Sequence, residues 1–438
     1  MRREACPDAS TLRLANGDIH RAPMNPVHNP YAPGAGQRPP ELAGREPEIE
    51  AFGILMERLQ SDRQERGIML SGLRGVGKTV LLEEFRSCAE EAGWVAAFVE
   101  AGSTRPFRLL AAQALTSALR ATSLRHRSSE KLRRALGVFK AFSLKASPDG
   151  SVSLGIDIEP ELGRADSGDL ELDLSELLAN LGEAARDFNA GVVLLIDELQ
   201  ELPLSDIAAV AGAAHHTNRR ELPVALVGAG LPHLPAVLTE AKSYAERLFS
   251  YRSIGALRPA DAGLALTRPA EALGVVWESD ALKHACDQAD GYPYFLQAYG
   301  NTIWDYAPGP DTITLDDAEI GVSAAQAELD HGFYGSRWER ATPTQRDYLA
   351  AMVSASGDDA TTSSREVAER LGRTVRALAQ QRDQLIRKGL IYAPERGVVA
   401  FTVPGMDAYI QRLDHTLTRP SGRRKDIDNV KGKRGLEL

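Results

Sequence analysis

The sequence is poor in cysteine. Its 438 residues hold only Cys6, Cys88 and Cys286, far apart along the chain. The number is odd, and the spacing makes neither a metal-ligand set nor a disulfide framework, which fits a reducing compartment. Long apolar runs are also missing. The longest run of large aliphatic residues, Val192-Val193-Leu194-Leu195-Ile196, has five residues, whereas a membrane helix needs about 20 apolar residues, so no membrane partner is expected. Met1-Arg2-Arg3-Glu4-Ala5-Cys6-Pro7 has no apolar stretch behind it, so no secretory signal is read and a cytoplasmic location is expected. No repeat recurs at solenoid periods. Composition is otherwise ordinary, 43% hydrophobic and 25% charged, which excludes collagen and wholesale disorder and suggests two to four domains.

Positive charge is in deficit too, with a formal net charge of −9. Its distribution tells more than its sum. Residues 337–412 carry about +3 and residues 419–434 about +5, leaving an acidic body with a mildly basic end.

Residues 1–43, rich in Pro, Gly, Asn and Arg, read as a flexible arm, either disordered or draped, in which Met24 opens a more regular stretch, Asn25-Pro26-Val27-His28-Asn29-Pro30-Tyr31. A helix then runs to about Leu59, followed by the buried strand Gly67-Ile68-Met69-Leu70-Ser71, a glycine-rich turn, a helix from Lys78 and a strand from Trp94 to Val99. That alternation predicts an α/β fold with a parallel sheet, residues 44–257 forming its core. Residues 106–141 are helical by pattern. Phe142-Ser143-Leu144-Lys145 and Val152-Ser153-Leu154-Gly155-Ile156 flank Pro148-Asp149-Gly150. This reads as a hairpin within an acidic insertion at about 142–173. Val192–Ile196 and Val224–Val227 are further buried strands, and Tyr251–Ile254 can close the sheet. Residues 258–335 read as a helical lid, 336–415 as a separate module and 416–438 as a basic disordered tail.

Gly72-Leu73-Arg74-Gly75-Val76-Gly77-Lys78-Thr79 matches GxxxxGK[ST] between a strand and a helix. Glycines let backbone N–H groups converge on an anion, and the helix that begins at Lys78 and runs on through Val80 adds partial positive charge. Lys78 is placed to reach β- and γ-phosphates and Thr79 to ligate Mg²⁺. The strand Val192–Ile196 ends in Asp197-Glu198. Asp197 suits the metal's water shell, and Glu198 suits orientation of an attacking water.

These two motifs resemble a P-loop ATPase of the AAA type, in its origin-recognition-like and STAND-like branch. Leu42-Ala43-Gly44-Arg45-Glu46 is similar to that branch's entry motif. Leu226-Val227-Gly228-Ala229-Gly230-Leu231-Pro232 is similar to its strand-end motif, and Gly291-Tyr292-Pro293-Tyr294-Phe295-Leu296-Gln297 to the GxP element of its lid. The resemblance implies ATP and Mg²⁺ as ligands, Gly44 and Arg45 near the adenine, and Pro293 against the base. It also implies an arginine finger, for which Arg247 is the candidate, with Arg252 and Arg258 as rivals and a surface ion pair as the ordinary alternative. The sequence departs from the family in two places. Gly228, Ala229 and Gly230 stand where a polar sensor is usual, and no lid arginine follows Pro293. Both departures imply low turnover. His215-His216 is not read as a metal pair, because adjacent helical positions point about 100° apart.

Residues 341–404 read as three helices and a two-stranded wing, resembling a winged helix-turn-helix. Ser363 and Glu366 form a capping-box pattern. Val375, Leu378, Leu385 and Ile386 give the third helix an apolar face. Arg373, Arg376, Arg382, Arg387 and Lys388, with Gln380 and Gln381, suit phosphate and base-edge contacts. With the basic tail (Arg423-Arg424-Lys425, Lys431, Lys433, Arg434), this points to double-stranded DNA. The alternative is a STAND-type scaffold whose winged helix contacts protein. A homo-oligomer, as in a ring acting on DNA, is a third possibility.

Overall fold

A computed structural model of the chain describes residues 24–34, 36–102, 105–122, 129–147, 158–356 and 361–418. The first 23 residues of the expected arm, the hairpin segment 148–157 and the tail from 419 onward lie outside the described residues. The chain divides into two compact units. Of the described residues, one holds those in 24–34, 38–43 and 257–325; the other holds those in 36–37, 44–256 and 326–418.

In the larger unit, α1 (Glu46–Gln60) begins with Pro47 and two acidic residues in its first turn, which suits a helix N-terminus. It buries Phe52, Leu55, Met56 and Leu59, spaced along one face. Then come β1 (Gly67–Ser71), α2 (Lys78–Glu91) and β2 (Val95–Glu100). Phe52 stacks on Phe85 of α2 with centroids 4.5 Å apart. Three helices follow, α3 (Phe107–Ala121), α4 (Glu130–Ala146) and α5 (Leu170–Arg186), and then β3 (Val192–Asp197). The run is completed by α6 (Leu204–Arg219), β4 (Val224–Gly230), α7 (Leu234–Ala241), α8 (Ala245–Leu248) and β5 (Phe249–Ser253).

The five strands are parallel in the order β2-β3-β4-β1-β5. Every residue of β1, β3 and β4 is buried, which explains their unbroken apolar runs: helices cover both sheet faces. The chain leaves β1, enters β2 at the far edge and returns through β3 and β4 to pair with β1. The carboxyl ends of β3, β4 and β1 therefore lie side by side, the usual place for a ligand crevice in an open α/β sheet.

The helical region corrects one expectation. Phe142-Ser143-Leu144-Lys145 is not a hairpin strand but the last turn of α4. The Ser129 hydroxyl accepts from Leu132 N–H and caps that helix. Leu132, Leu136, Phe139 and Phe142 are buried at helical spacing, carrying it onward. Phe142 is fully buried in the main core, where truncation to Ala would cost about 3–5 kcal/mol. The acidic stretch ends folded back on α5. Asp169 caps that helix, and buried Asp173 accepts from Ser167, Gly168 and Arg108.

The smaller unit contains α9 (Pro259–Glu271), β6 (Val276–Trp277), α10 (Ser279–Ala289), α11 (Pro293–Tyr306), β7 (Thr312–Ile313) and the start of α12 (Leu315–Glu328). After residue 43 it resumes at Leu257 and runs to Ala325. Within it, residues 24–34 are no free arm. Met24 and Tyr31 are buried. The Tyr31 hydroxyl donates to the Leu266 carbonyl (2.5 Å) and accepts from the Trp277 indole (3.1 Å). The Tyr31 ring also lies where a Cβ on Gly300 would stand 2.7 Å away.

The C-terminal segment belongs to the same unit as the parallel sheet. It runs α13 (Gly335–Glu339), α14 (Pro343–Ala355), β8 (Thr361–Ser363), α15 (Ser364–Arg370), α16 (Val375–Arg387), β9 (Ile391–Tyr392), β10 (Val398–Phe401) and α17 (Met406–Thr418). The strands form an antiparallel sheet in the order β8-β10-β9, one strand more than expected. Ser363 and Glu366 make the capping box. In α16, Leu378 and Leu385 are buried, but Val375 faces solvent at the first turn, which corrects its place on the apolar face.

Candidate nucleotide site

The loop after β1 turns through Gly75 and Gly77, whose φ values of 89° and 91° are left-handed and suit glycine. Lys78 follows as the first residue of α2 and is 5% exposed. Its ammonium donates to the carbonyls of Gly72 (2.9 Å) and Leu73 (2.8 Å), closing the loop on itself. Burial holds Lys78 below the usual lysine range; Arg74 adds to this, while Glu198 and Asp197 oppose it. The next residue, Thr79, donates its hydroxyl to Asp197 Oδ2 at 2.5 Å. Residues 118 positions apart thus meet because β3 and β1 end on either side of β4.

Asp197 is 4% exposed. Burial pushes its carboxyl above the usual range, against the hydrogen bonds from Thr79 and the Glu198 N–H (2.8 Å). Glu198 takes a left-handed backbone (φ 49°, ψ 40°), a conformation that costs a non-glycine residue roughly 1–3 kcal/mol. Its carboxylate accepts from Gln200 Nε2 at 2.6 Å and lies 3.9 Å from Arg74 Nε. Arg74 also lies 3.9 Å from Glu201. At these distances and exposures each pair contributes at most about 1 kcal/mol.

Arg45 donates to the carbonyls of Val76 (3.1 Å) and Gly255 (2.6 Å), so it braces the loop's crest against the end of β5. Gly44 precedes it with φ 72°. Val80 is half-buried in the first turn of α2. Pro293 opens α11 in the smaller unit. Arg247 is not brought to the loop. It is exposed in α8, and the pairing of Phe249 with Gly67 puts it at the amino end of the sheet, opposite the glycine-rich turn. A finger acting within its own chain is therefore excluded for Arg247. The His215 ring packs against Tyr244 with centroids 4.9 Å apart and planes tilted by 40°, and no metal-binding cluster of His, Cys, Asp or Glu occurs among the described residues.

Sequence reasoning missed two features. The first is Gln200, an amide two positions past the acidic pair. The second is the seat of the C-terminal segment. The Arg74 N–H donates to the Thr402 carbonyl at 3.0 Å. Leu231, Tyr392 and Ala400 form a buried cluster against which Leu73 packs. His233 stacks on Tyr392 at 5.8 Å, and burial lowers the His233 imidazole and raises the Tyr392 phenol. Strands β9 and β10 thus sit directly on the glycine-rich loop and on the residues after β4.

Residues 41–227 match the AAA ATPase domain family. This segment is an AAA ATPase domain. Residues 331–410 match a second family, DUF8462, a domain of unknown function. Among solved structures, a Walker-type ATPase of Pyrococcus abyssi shares the fold. It is 15% identical, with 84% of this chain and 96% of that one covered, at a TM-score of 0.54. The Aeropyrum pernix ORC2 protein in its ADP form is 16% identical over 87% and 96% at 0.46. The Aeropyrum pernix Orc1 protein in complex with DNA is 14% identical over 86% and 95% at 0.42. No curated protein matches the chain.

The AAA family implies nucleotide binding and usually Mg²⁺, and the donor set fits both. A buried ammonium at a helix N-terminus, whose hydrogen bonds go to neutral carbonyls, suits phosphate oxygens. A hydroxyl and a buried carboxylate already in contact suit a hard divalent cation. No helix among the described residues is long and apolar enough to cross a membrane.

Proposed function

We propose that the protein is an ATP-binding, Mg²⁺-dependent ATPase of low turnover that works as a nucleotide-controlled switch. Its C-terminal segment, a winged helix by its order of helices and strands, is the part being switched. Lys78 and the backbone of Gly72–Thr79, Arg74 and Val76 included, hold the phosphates. Thr79 and Asp197 hold the metal, and Glu198 takes the proton of the attacking water. Bound Mg²⁺ supplies charge neutralisation at the phosphates.

The observation that carries the switch is the hydrogen bond from the Arg74 N–H to the Thr402 carbonyl. A change in the loop that accompanies nucleotide binding cannot leave β10 and its neighbours indifferent, because their contact includes a loop backbone group. The exposed face of α16, with Arg376, Gln380 and Arg387, together with exposed Arg373 just before the helix, supports duplex DNA as the partner. The decisive experiment is a DNA-binding titration with ATP, ADP and no nucleotide at two salt concentrations. Nucleotide-dependent, salt-sensitive affinity is expected; absence of binding in every state at low salt contradicts the DNA reading.

A second reading is favoured by the same contact. If β9 and β10 stay seated on the core, the segment is a lock on bound ADP in a protein scaffold. Tightly held ADP after purification, with negligible turnover, distinguishes this reading.

A further inference from the structure

Gln200 is engaged at both ends of its side-chain amide. Oε1 accepts the Leu231 N–H at 3.1 Å, and Nε2 donates to Glu198 Oε2 at 2.6 Å. A backbone N–H can only donate, so it fixes which end of the amide is oxygen and leaves the nitrogen facing the carboxylate. The strand beside it makes room. A Cβ on Gly230 would stand 2.2 Å from Gln200 Oε1. The carboxyl end of β4 therefore lacks a side chain at Gly230 because Gln200 fills that space. A Cβ on Gly228 would likewise stand 2.7 Å from the Met69 sulfur.

We infer that Gln200 is a positioning residue for Glu198, bridging its carboxylate to the end of β4, where Gly230 offers no side chain of its own. Glu198 needs such a brace. Its backbone is left-handed, it starts a short 3₁₀ turn, and its side chain is partly open to solvent. An unbraced carboxylate there would sample several rotamers, and proton abstraction depends on orientation. The inference rests on reading Glu198 as the base.

The test uses the full chain and measures steady-state ATP turnover with Mg²⁺, equilibrium binding of a fluorescent ATP analogue and thermal unfolding. Gln200→Met keeps the length and removes both hydrogen bonds. Gln200→Glu keeps an acceptor for the Leu231 N–H and removes the donor to Glu198. Both are expected to lose at least tenfold in kcat, with KM and analogue binding within twofold of the parent. A kcat within twofold of the parent in either variant overturns the inference. Equal losses in kcat and analogue binding also overturn it, because they mark general damage to the site. Glu198→Gln, assayed alongside, separates the two levels. If it turns over ATP at the parental rate, the base assignment fails as well. If it is inactive while Gln200→Met is fully active, the brace alone fails.

Discussion

The Thr79 hydroxyl hydrogen-bonds the Asp197 carboxylate at 2.5 Å, joining the start of α2 to the end of β3 across 118 residues of sequence. Buried Lys78 precedes Thr79, and Glu198 follows Asp197. The contact thus brings the two sequence motifs into one site.

Lys78→Ala is expected to weaken nucleotide binding at least tenfold, because it removes the charge-assisted contact to the phosphates. Glu198→Gln is expected to bind ATP like the parent and lose turnover by a factor of 100 or more. Binding by calorimetry and turnover by phosphate release check the pair.

Asp197→Asn is expected to stabilise the nucleotide-free protein near pH 7. Burial raises the Asp197 carboxyl above its usual value of 3.8, so its charge costs stability at every pH above the folded value. As pH falls from the folded value to 3.8, the folded state takes up the proton before the unfolded one, and that cost disappears. The advantage of the Asn variant should shrink over this window. Thermal unfolding between pH 3.5 and pH 7 measures it, at about 1 °C per kcal/mol for a chain of this length.

Tyr392→Ala is expected to release ADP several-fold faster than the parent. It removes the ring packed on Leu231 and His233 and loosens the strands whose neighbour Thr402 holds the Arg74 N–H. Stopped-flow displacement of a fluorescent ADP checks this, and an unchanged release rate would uncouple the segment from the loop.

Arg376→Ala and Arg387→Ala are each expected to weaken duplex binding similarly on all sequences and to lower the slope of log affinity against log salt by about 1. Titrations at several salt concentrations read the slope. An effect confined to one base position would instead mark a base contact.

Much of the ATPase core was legible in the chain. Five-residue apolar runs have few uses other than fully buried strands, and the glycine-rich loop needs a strand before it and a helix after it. The fate of Phe142–Lys145 was not legible from alternation over four residues. Its place in α4 depends on the Ser129 cap and on a buried face shared with Leu132, Leu136 and Phe139. β8 escaped notice because Thr361-Thr362-Ser363 is too short and polar to stand out; its pairing with β10 defines it. Tyr31 stood out only as the end of a more regular stretch in the arm, since one aromatic among prolines and glycines carries no period that would name its partners, Leu266 and Trp277. Gln200 was overlooked for a different reason. An amide after two carboxylates is unremarkable until it is seen to fill the space over Gly230.

The site itself is tested most directly by titrating ATP into the full chain with and without Mg²⁺, in the parent and in Lys78→Ala. Saturable binding that strengthens with Mg²⁺ in the parent and is lost in the variant is the expected result. Equal affinity in the two proteins, indifferent to the metal, would contradict a nucleotide site built on Lys78, Thr79 and Asp197.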